Sequence, residues 1–286
     1  MNLNELKDAV QTETNLEKAL PIILKKLESG TLRITSPKGL GADCGIKPMT
    51  NLKDWVVHDW VKKSVQLIIK HREVQERFID TPYLKDRPQS GRLGYFDKLD
   101  PRQDITHARI VPPANVREGS FIGKGVVVMP AFTNIGCYVG EGTMVDSWVT
   151  VGSCSQIGTL VHLSAGVGVG GVLEPLNAKP VMIGDHAFIG MNSSIVEGLI
   201  IESHAVLAAH TCLTASTPIY DVTEKEIKEY RGYVPSKAVV IPGTRKKETP
   251  AGEISIQCAY IIAYRSEKHD DKLKLNEILR DYGASM

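Results

Sequence analysis

Residues 139–169 read VGEGTMVDSWVTVGSCSQIGTLVHLSAGVGV, and within them an aliphatic residue returns every six positions: Val139, Val145, Val151, Ile157, Leu163 and Val169. A second series follows at Ile183, Ile189, Ile195, Ile201, Leu207 and Leu213. The fifth position of these hexads is mostly small or β-branched, as at Thr143, Val149, Ser155, Ala187, Ser193 and Thr211. A period of six fits neither a helix nor an alternating strand. It does fit a short strand with one inward side chain followed by a tight corner. Three such units close a triangular coil, and stacked coils pair their strands in parallel at about 4.8 Å. The aliphatic residues then pile into a continuous core that no single repeat could bury alone. Upstream, Val116, Ile122 and Val128 keep the period, with a one-residue slip before Val139; Val234 and Val240 resume it downstream. The expected fold is therefore mainly β, a parallel β-helix.

On either side the pattern changes. Residues 1–108 are expected to form a mainly helical α/β domain. Leu16, Leu20, Ile23, Leu24 and Leu27 share one helical face that Gly30 ends, and Pro21 threatens to divide it. A second helix is expected to open at Asp54 as its N-cap, with Val57, Trp60, Val61, Val65 and Ile68 as its core stripe. Residues 71–108 are polar, rich in turn formers and read as a connection. The coil is assigned to 109–248 and a C-terminal strand and helix cap to 249–286. ISIQCAYIIAYR is the strand, and Leu275, Ile278, Leu279 and Tyr282 mark a helix from about Asp270 to Tyr282. Two stretches interrupt the coil, GGVLEPLNAKPVM and DVTEKEIKEYRG. Loops extruded from a regular scaffold are common places for a site.

The chain has 286 residues with 34 basic against 33 acidic side chains, so no bulk field recommends nucleic acid or an anionic membrane. An N-terminus without a continuous apolar stretch argues against a signal peptide, and no segment approaches a membrane span, so a cytoplasmic location is expected. Cys44, Cys137, Cys154, Cys212 and Cys258 are widely spaced without a CxxC pair, and read as small buried residues. Gly166 to Gly171 matches GxGxxG, but Val167 and Val169 continue the coil and Pro175 follows, so this is a glycine-rich corner and not a dinucleotide site. His162, His186, His204 and His210 lie in the repeats. His204 and His210 occupy equivalent places in successive hexads and so face different sides; no pair is spaced to direct two ligands at one metal, and no metal is expected.

ARIVPPANVREGSFI, NIGCYVGEGTMVDSWVTVGSCSQIG, VHLSAGVGVGGVLEPL and SSIVEGLIIE together resemble the tetrahydrodipicolinate N-succinyltransferase family of hexapeptide-repeat transferases. They cover much of residues 108–202; the helical domain and tail resemble the family in layout more than in detail. The resemblance implies a left-handed winding and a homotrimer with sites between subunits. It implies succinyl-CoA as co-substrate, no permanently bound cofactor, and transfer of the succinyl group to tetrahydrodipicolinate on the route to diaminopimelate and lysine. It also implies substrate binding by Arg109 before the VPP motif and by Asp146 in TMVD, with Glu197 in VEG facing the substrate amine. Asp146 and Glu197 as the acid–base pair is the expected catalytic assignment. With Val145 and Ile195 inward, both carboxylates have side chains free to point outward, whereas the period does not place Arg109. If the loop between them extrudes about two residues, the carboxylates lie on different faces of the coil; about fourteen would bring them to nearly the same one. His162 is a candidate general base. Arg245, Lys246 and Lys247 follow the last hexad, where the resemblance brings the coenzyme phosphates to the helix edge.

Overall fold

The computed structural model describes residues 1–80, 92–102, 104–265 and 278–285. The chain is mainly β, with a small helical N-terminus. From Arg109 onward, two-residue strands joined by short corners fall in rotation onto three parallel sheets, the faces of a three-sided coil. The first face stacks Phe121–Ile122, Tyr138–Val139, Gln156–Ile157, Met182–Ile183, Ile200–Ile201 and Tyr233–Val234. On the second, Arg109–Ile110 is followed by Val127–Val128, Met144–Val145, His162–Leu163, Phe188–Ile189, Val206–Leu207 and a longer strand, Ala238–Thr249. The third runs from Asn115–Val116 through Phe132–Thr133, Thr150–Val151, Gly168–Val169 and Ser194–Ile195 to Cys212–Leu213.

The second residue of each strand points into the prism. Val145, Val151, Ile157, Leu163, Ile189, Ile195 and Leu207 are all fully buried in one core. Removing such a side chain from water is worth about 1.5–3 kcal/mol each, which is why the hexad dominates the sequence. The regular corners turn on a left-handed residue three positions after the inward one, among them Trp148 (φ 62°), Cys154 (67°), Leu160 (52°), His186 (60°), Asn192 (57°), His204 (62°) and His210 (59°). A non-glycine residue there costs roughly 1–2 kcal/mol. The corner N–H groups offset this by donating to the preceding coil: Leu160 to Glu141 O (2.8 Å), His186 to Thr159 O (2.9 Å) and His204 to Asp185 O (2.8 Å).

The slip upstream of Val139 is a shortened corner. After Val128 the next inward residue is Thr133, fully buried although it is not aliphatic, and Val139 follows six positions later.

In the N-terminal domain, helix α1 (Leu3–Thr12) starts at an Asn2–Glu5 capping box, a signal that hydrophobic period alone passes over. Helix α2 (Leu16–Glu28) continues through Pro21 without dividing, since the ring removes one N–H from a helix whose inner face is buried along its length. Helix α3 begins later than expected, at Asp59, and runs to Lys70 behind His58. Asp54 instead ends a 3₁₀ turn, Leu52–Asp54, and Val57 belongs to a short strand, Trp55–Val57, paired with Thr35–Pro37. The stretch read as a connection contains two antiparallel strands, Gln75–Asp80 and Arg92–Asp97, whose ladder comes from backbone pairing that a polar sequence does not announce.

This domain covers the outward side of the first face. Met49, Leu52 and Trp55 pack with Phe121, Tyr138, Met182 and Ile200 in one buried cluster. Arg33, 1% exposed, lies with its guanidinium carbon 3.7 Å from the Tyr138 ring centroid and 5.1 Å from that of Trp55, and its Nε donates to Gln156 Oε1 (3.2 Å). At the far end, strand Gly252–Tyr264 pairs antiparallel with Ala238–Thr249 and parallel with Ile219–Asp221, which also forms a hairpin with Lys228–Tyr230. These strands extend the second face beyond the coil and occupy its free edge. Of the expected C-terminal helix, Leu275 lies outside the described residues; Leu279 is buried against Val206, Val239 and Ile241.

Candidate active site

Asp146 leaves the second face just past Met144–Val145, on the edge shared with the third. Its backbone N–H stays in the ladder, donating to Leu163 O (3.0 Å), while the half-buried carboxylate turns outward and Oδ1 accepts from Ser147 N (2.7 Å). Two residues on, Trp148 stands 73% exposed.

Glu197 leaves the third face after Ser194–Ile195, on the edge shared with the first. Its backbone is itself left-handed (φ 58°), and so is that of Gly198 (71°); no other corner of the described coil has two such residues in succession. Strained backbone of this kind is held only where its surroundings enforce it. Those surroundings are the two interruptions singled out in the sequence. Before Glu197 in the stack, the loop that bulges between Gly170 and Val181 leaves the coil at the same edge, and a Cβ on Gly198 would lie 2.3 Å from Lys179 O, so only glycine fits. After it, the turn at Thr214–Thr217 precedes the second interruption, and Ala215 N donates to Glu197 Oε2 (3.2 Å). Arg231 Nη1 ties that turn down through Ser216 O (2.6 Å).

The first interruption extrudes eight residues, since Ile157 pairs with Ile183, 26 positions on, where a regular coil takes 18. That is neither of the two lengths weighed from the sequence, and it puts Asp146 and Glu197 on different edges. Within one chain they are separated by the width of the third face and by two coils, roughly 10 Å along the axis. Arg109, which the period did not locate, is exposed on the second face with Ile110 as its inward neighbour. It stands two strands before Met144 in the same ladder, so its Cα lies roughly 12 Å from that of Asp146. The structure thus brings Arg109 and Asp146 onto one face and leaves Glu197 apart.

His162 is on that face too, directly after Met144 in the ladder, with its ring stacked on Phe188 at 4.9 Å. His186 and His204, 18 residues apart, share one edge and stack at 4.6 Å, a pairing visible at the coil period and not at the hexad. Among the described residues no group of three His, Cys, Asp or Glu could hold a metal. Burial pushes the Cys154 thiol up to about 12, which removes it as a nucleophile.

Arg245, Lys246 and Lys247 lie within strand Ala238–Thr249, opposite Ile256, Ser255 and Ile254. Alternation puts Arg245 and Lys247 on one side of the hairpin and Lys246 on the other. Lys246 pairs with Glu253, whereas the buried Arg245 Nε has no hydrogen-bond partner among the described residues. Cavities of about 510 and 340 Å³ open on the N-terminal helices, the first lined by Glu13, Leu16, Ile68 and Arg72; neither includes Arg109, Asp146 or Glu197.

The family model for the N-terminal domain of tetrahydrodipicolinate N-succinyltransferase matches residues 2–70. The helical domain therefore carries the family's sequence and not only its layout. The 2,3,4,5-tetrahydropyridine-2,6-dicarboxylate N-succinyltransferase of Polynucleobacter asymbioticus is 41% identical over 278 residues, covering 93% of this chain and 90% of that protein. The enzyme of the same name from Methylobacillus flagellatus is 42% identical over 284 residues, covering 96% and 90%. In fold, the chain resembles a Campylobacter jejuni crystal structure provisionally assigned as a 2,3,4,5-tetrahydropyridine-2-carboxylate N-succinyltransferase, with a TM-score of 0.50, 13% identity, and coverage of 85% of this chain and 62% of that one. Parallel-coil architecture, family words along the coil and near-full-length relatives agree: the chain is an acyltransferase that belongs to the tetrahydrodipicolinate N-succinyltransferase family.

Proposed function

We propose that the chain succinylates the amine of tetrahydrodipicolinate, in its opened 2-amino-6-ketopimelate form, at a site assembled between subunits of a homotrimer. The observation carrying this reading is the placement of Asp146 and Glu197 at opposite edges of the third face, two coils apart. A site using both carboxylates takes them from neighbouring copies. The coil winds left-handed, as in the family it belongs to, and the enzyme works in the cytoplasm.

The thioester is already activated, so the task is to hold a neutral amine against its carbonyl. Asp146 and Glu197 receive the substrate ammonium and take its proton. The freed nitrogen attacks the thioester carbonyl, the C–N bond forms and the oxygen takes up the charge; as the oxyanion collapses the C–S bond breaks, the nitrogen gives up its second proton to the sulfur, and CoA leaves as the thiol. Arg109 pairs with a carboxylate of the acceptor, and backbone N–H groups of the coil face the developing oxyanion. Arg245, Lys246 and Lys247 meet the phosphates of succinyl-CoA, with Arg245 and Lys247 best placed because Glu253 holds Lys246. The acyl donor is tested by following thiol release with succinyl-CoA and with acetyl-CoA in the presence of the amino-ketopimelate. Faster turnover with acetyl-CoA overturns the succinyl assignment.

A further inference from the structure

The loop that presses Lys179 O onto Gly198 is not held by the coil alone. Lys62 of α3 is fully buried, and its Nζ donates to Pro175 O (2.9 Å) and Ala178 O (3.0 Å). No carboxylate pairs with it among the described residues. A buried ammonium satisfied only by carbonyl oxygens is a costly arrangement, and here both carbonyls belong to one extruded loop. Gln66, one turn along the same helix, donates to Leu173 O (3.2 Å) and Glu174 Oε1 (3.4 Å). Lys179 reaches back in turn, its Nζ donating to Lys53 O (2.9 Å). Loop 171–181 is thus fastened to the N-terminal domain at Leu173, Glu174, Pro175, Ala178 and Lys179, and lies against the one corner whose backbone is left-handed twice in succession.

We infer that Lys62 is a positioning residue for Glu197: the N-terminal domain, through Lys62 and loop 171–181, braces the Glu197–Gly198 corner and so sets where the carboxylate stands. This rests on the assignment of Glu197 to the site. Lys62 touches no reacting atom. Its effect passes through the loop carbonyls to the backbone of Gly198, and displacement of a catalytic group by about 1 Å is enough to cost a hundredfold in rate.

The test is a double-mutant cycle on the full-length enzyme, read as kcat and KM by thiol release. Lys62→Met is expected to lower kcat at least tenfold with the KM for succinyl-CoA unchanged, and Gln66→Ala, a milder loosening of the same loop, several-fold. In a Glu197→Gln background, Lys62→Met should produce no further loss, because the group it positions is already gone. The same loss in both backgrounds overturns the brace, as does an unchanged kcat in Lys62→Met. If Lys62→Met does not fold, Gln66→Ala takes its place in the cycle with the same two outcomes. An unchanged rate in Glu197→Gln overturns the site assignment instead, and the brace with it.

Discussion

If Asp146 and Glu197 serve one site from two copies, two inactive variants should restore each other. Asp146→Asn and Glu197→Gln each remove a positioned acid–base group and should each lose at least about a hundredfold in kcat. Suppose each of three equivalent sites takes Asp146 from one subunit and Glu197 from the next. In a trimer assembled at random from equal amounts of the variants, a site is intact when the first subunit is Glu197→Gln and the second is Asp146→Asn, about one quarter of all sites. Purification through a different tag on each variant leaves only mixed trimers, and these hold one intact site in three, or about 33% of the wild-type rate. The separation of the two edges predicts this recovery. Thiol release from succinyl-CoA, measured after co-refolding and normalised to protein, reads it directly. Mixed trimers no more active than either parent would mean that both carboxylates come from one chain, and would refute the reasoning from the coil geometry.

The cysteines and the basic strand make three further predictions. Burial pushes the Cys137 and Cys154 thiols up to about 12, so at pH 8 both should resist a thiol reagent that labels the half-buried Cys44 and Cys212, and all five should react in denaturant; rapid labelling of Cys154 in the native protein would contradict its burial. Because both folded values lie above the ordinary 9.0, these thiols support the folded state fully below pH 9 and lose that support as pH rises from 9 toward 12, which melting curves across that range should show as falling stability. Replacing Arg245 and Lys247 together by Ala should raise the KM for succinyl-CoA about tenfold, less so at high salt, with the KM for the amine unchanged; an unchanged KM for succinyl-CoA would remove this strand from the coenzyme site.

The coil was legible in the sequence because its physics is repetitive: every inward place from Val139 to Leu213 asks for the same kind of side chain. Its exceptions were harder to read. Thr133 fills an inward place without being aliphatic, so the shortened corner before it appeared only as a slip. Phe121, Tyr138 and Ile200 are outward residues whose apolar character answers the N-terminal domain and not the coil core. The hexads locate Asp146 and Glu197 each on its own strand, but their relation depends on how many residues the loop extrudes, which no local pattern records. Ile110 lies one hexad before Val116, so the period reaches Arg109 only when it is counted back across Pro112–Pro113. The family words, carried by outward residues, supplied the chemistry that the period alone could not.

The segment from Gly30 to Lys53 touches every level of the stack in order. Gly30 lies against the Phe121 ring, Arg33 over Tyr138 and onto Gln156, Met49 N on Asp185 Oδ2 (2.8 Å), Leu52 N on Glu202 Oε1 (2.7 Å), and Lys53 Nζ 3.6 Å from the Tyr233 ring centroid. Identical coils have no intrinsic reason to stop at any particular number. Here a single stretch of chain works as a gauge with a mark for each storey, so that inserting or deleting one 18-residue repeat would throw every mark beyond it out of step. The length of the prism, and with it the distance from Asp146 to the Glu197 edge, is metered from outside the repeat.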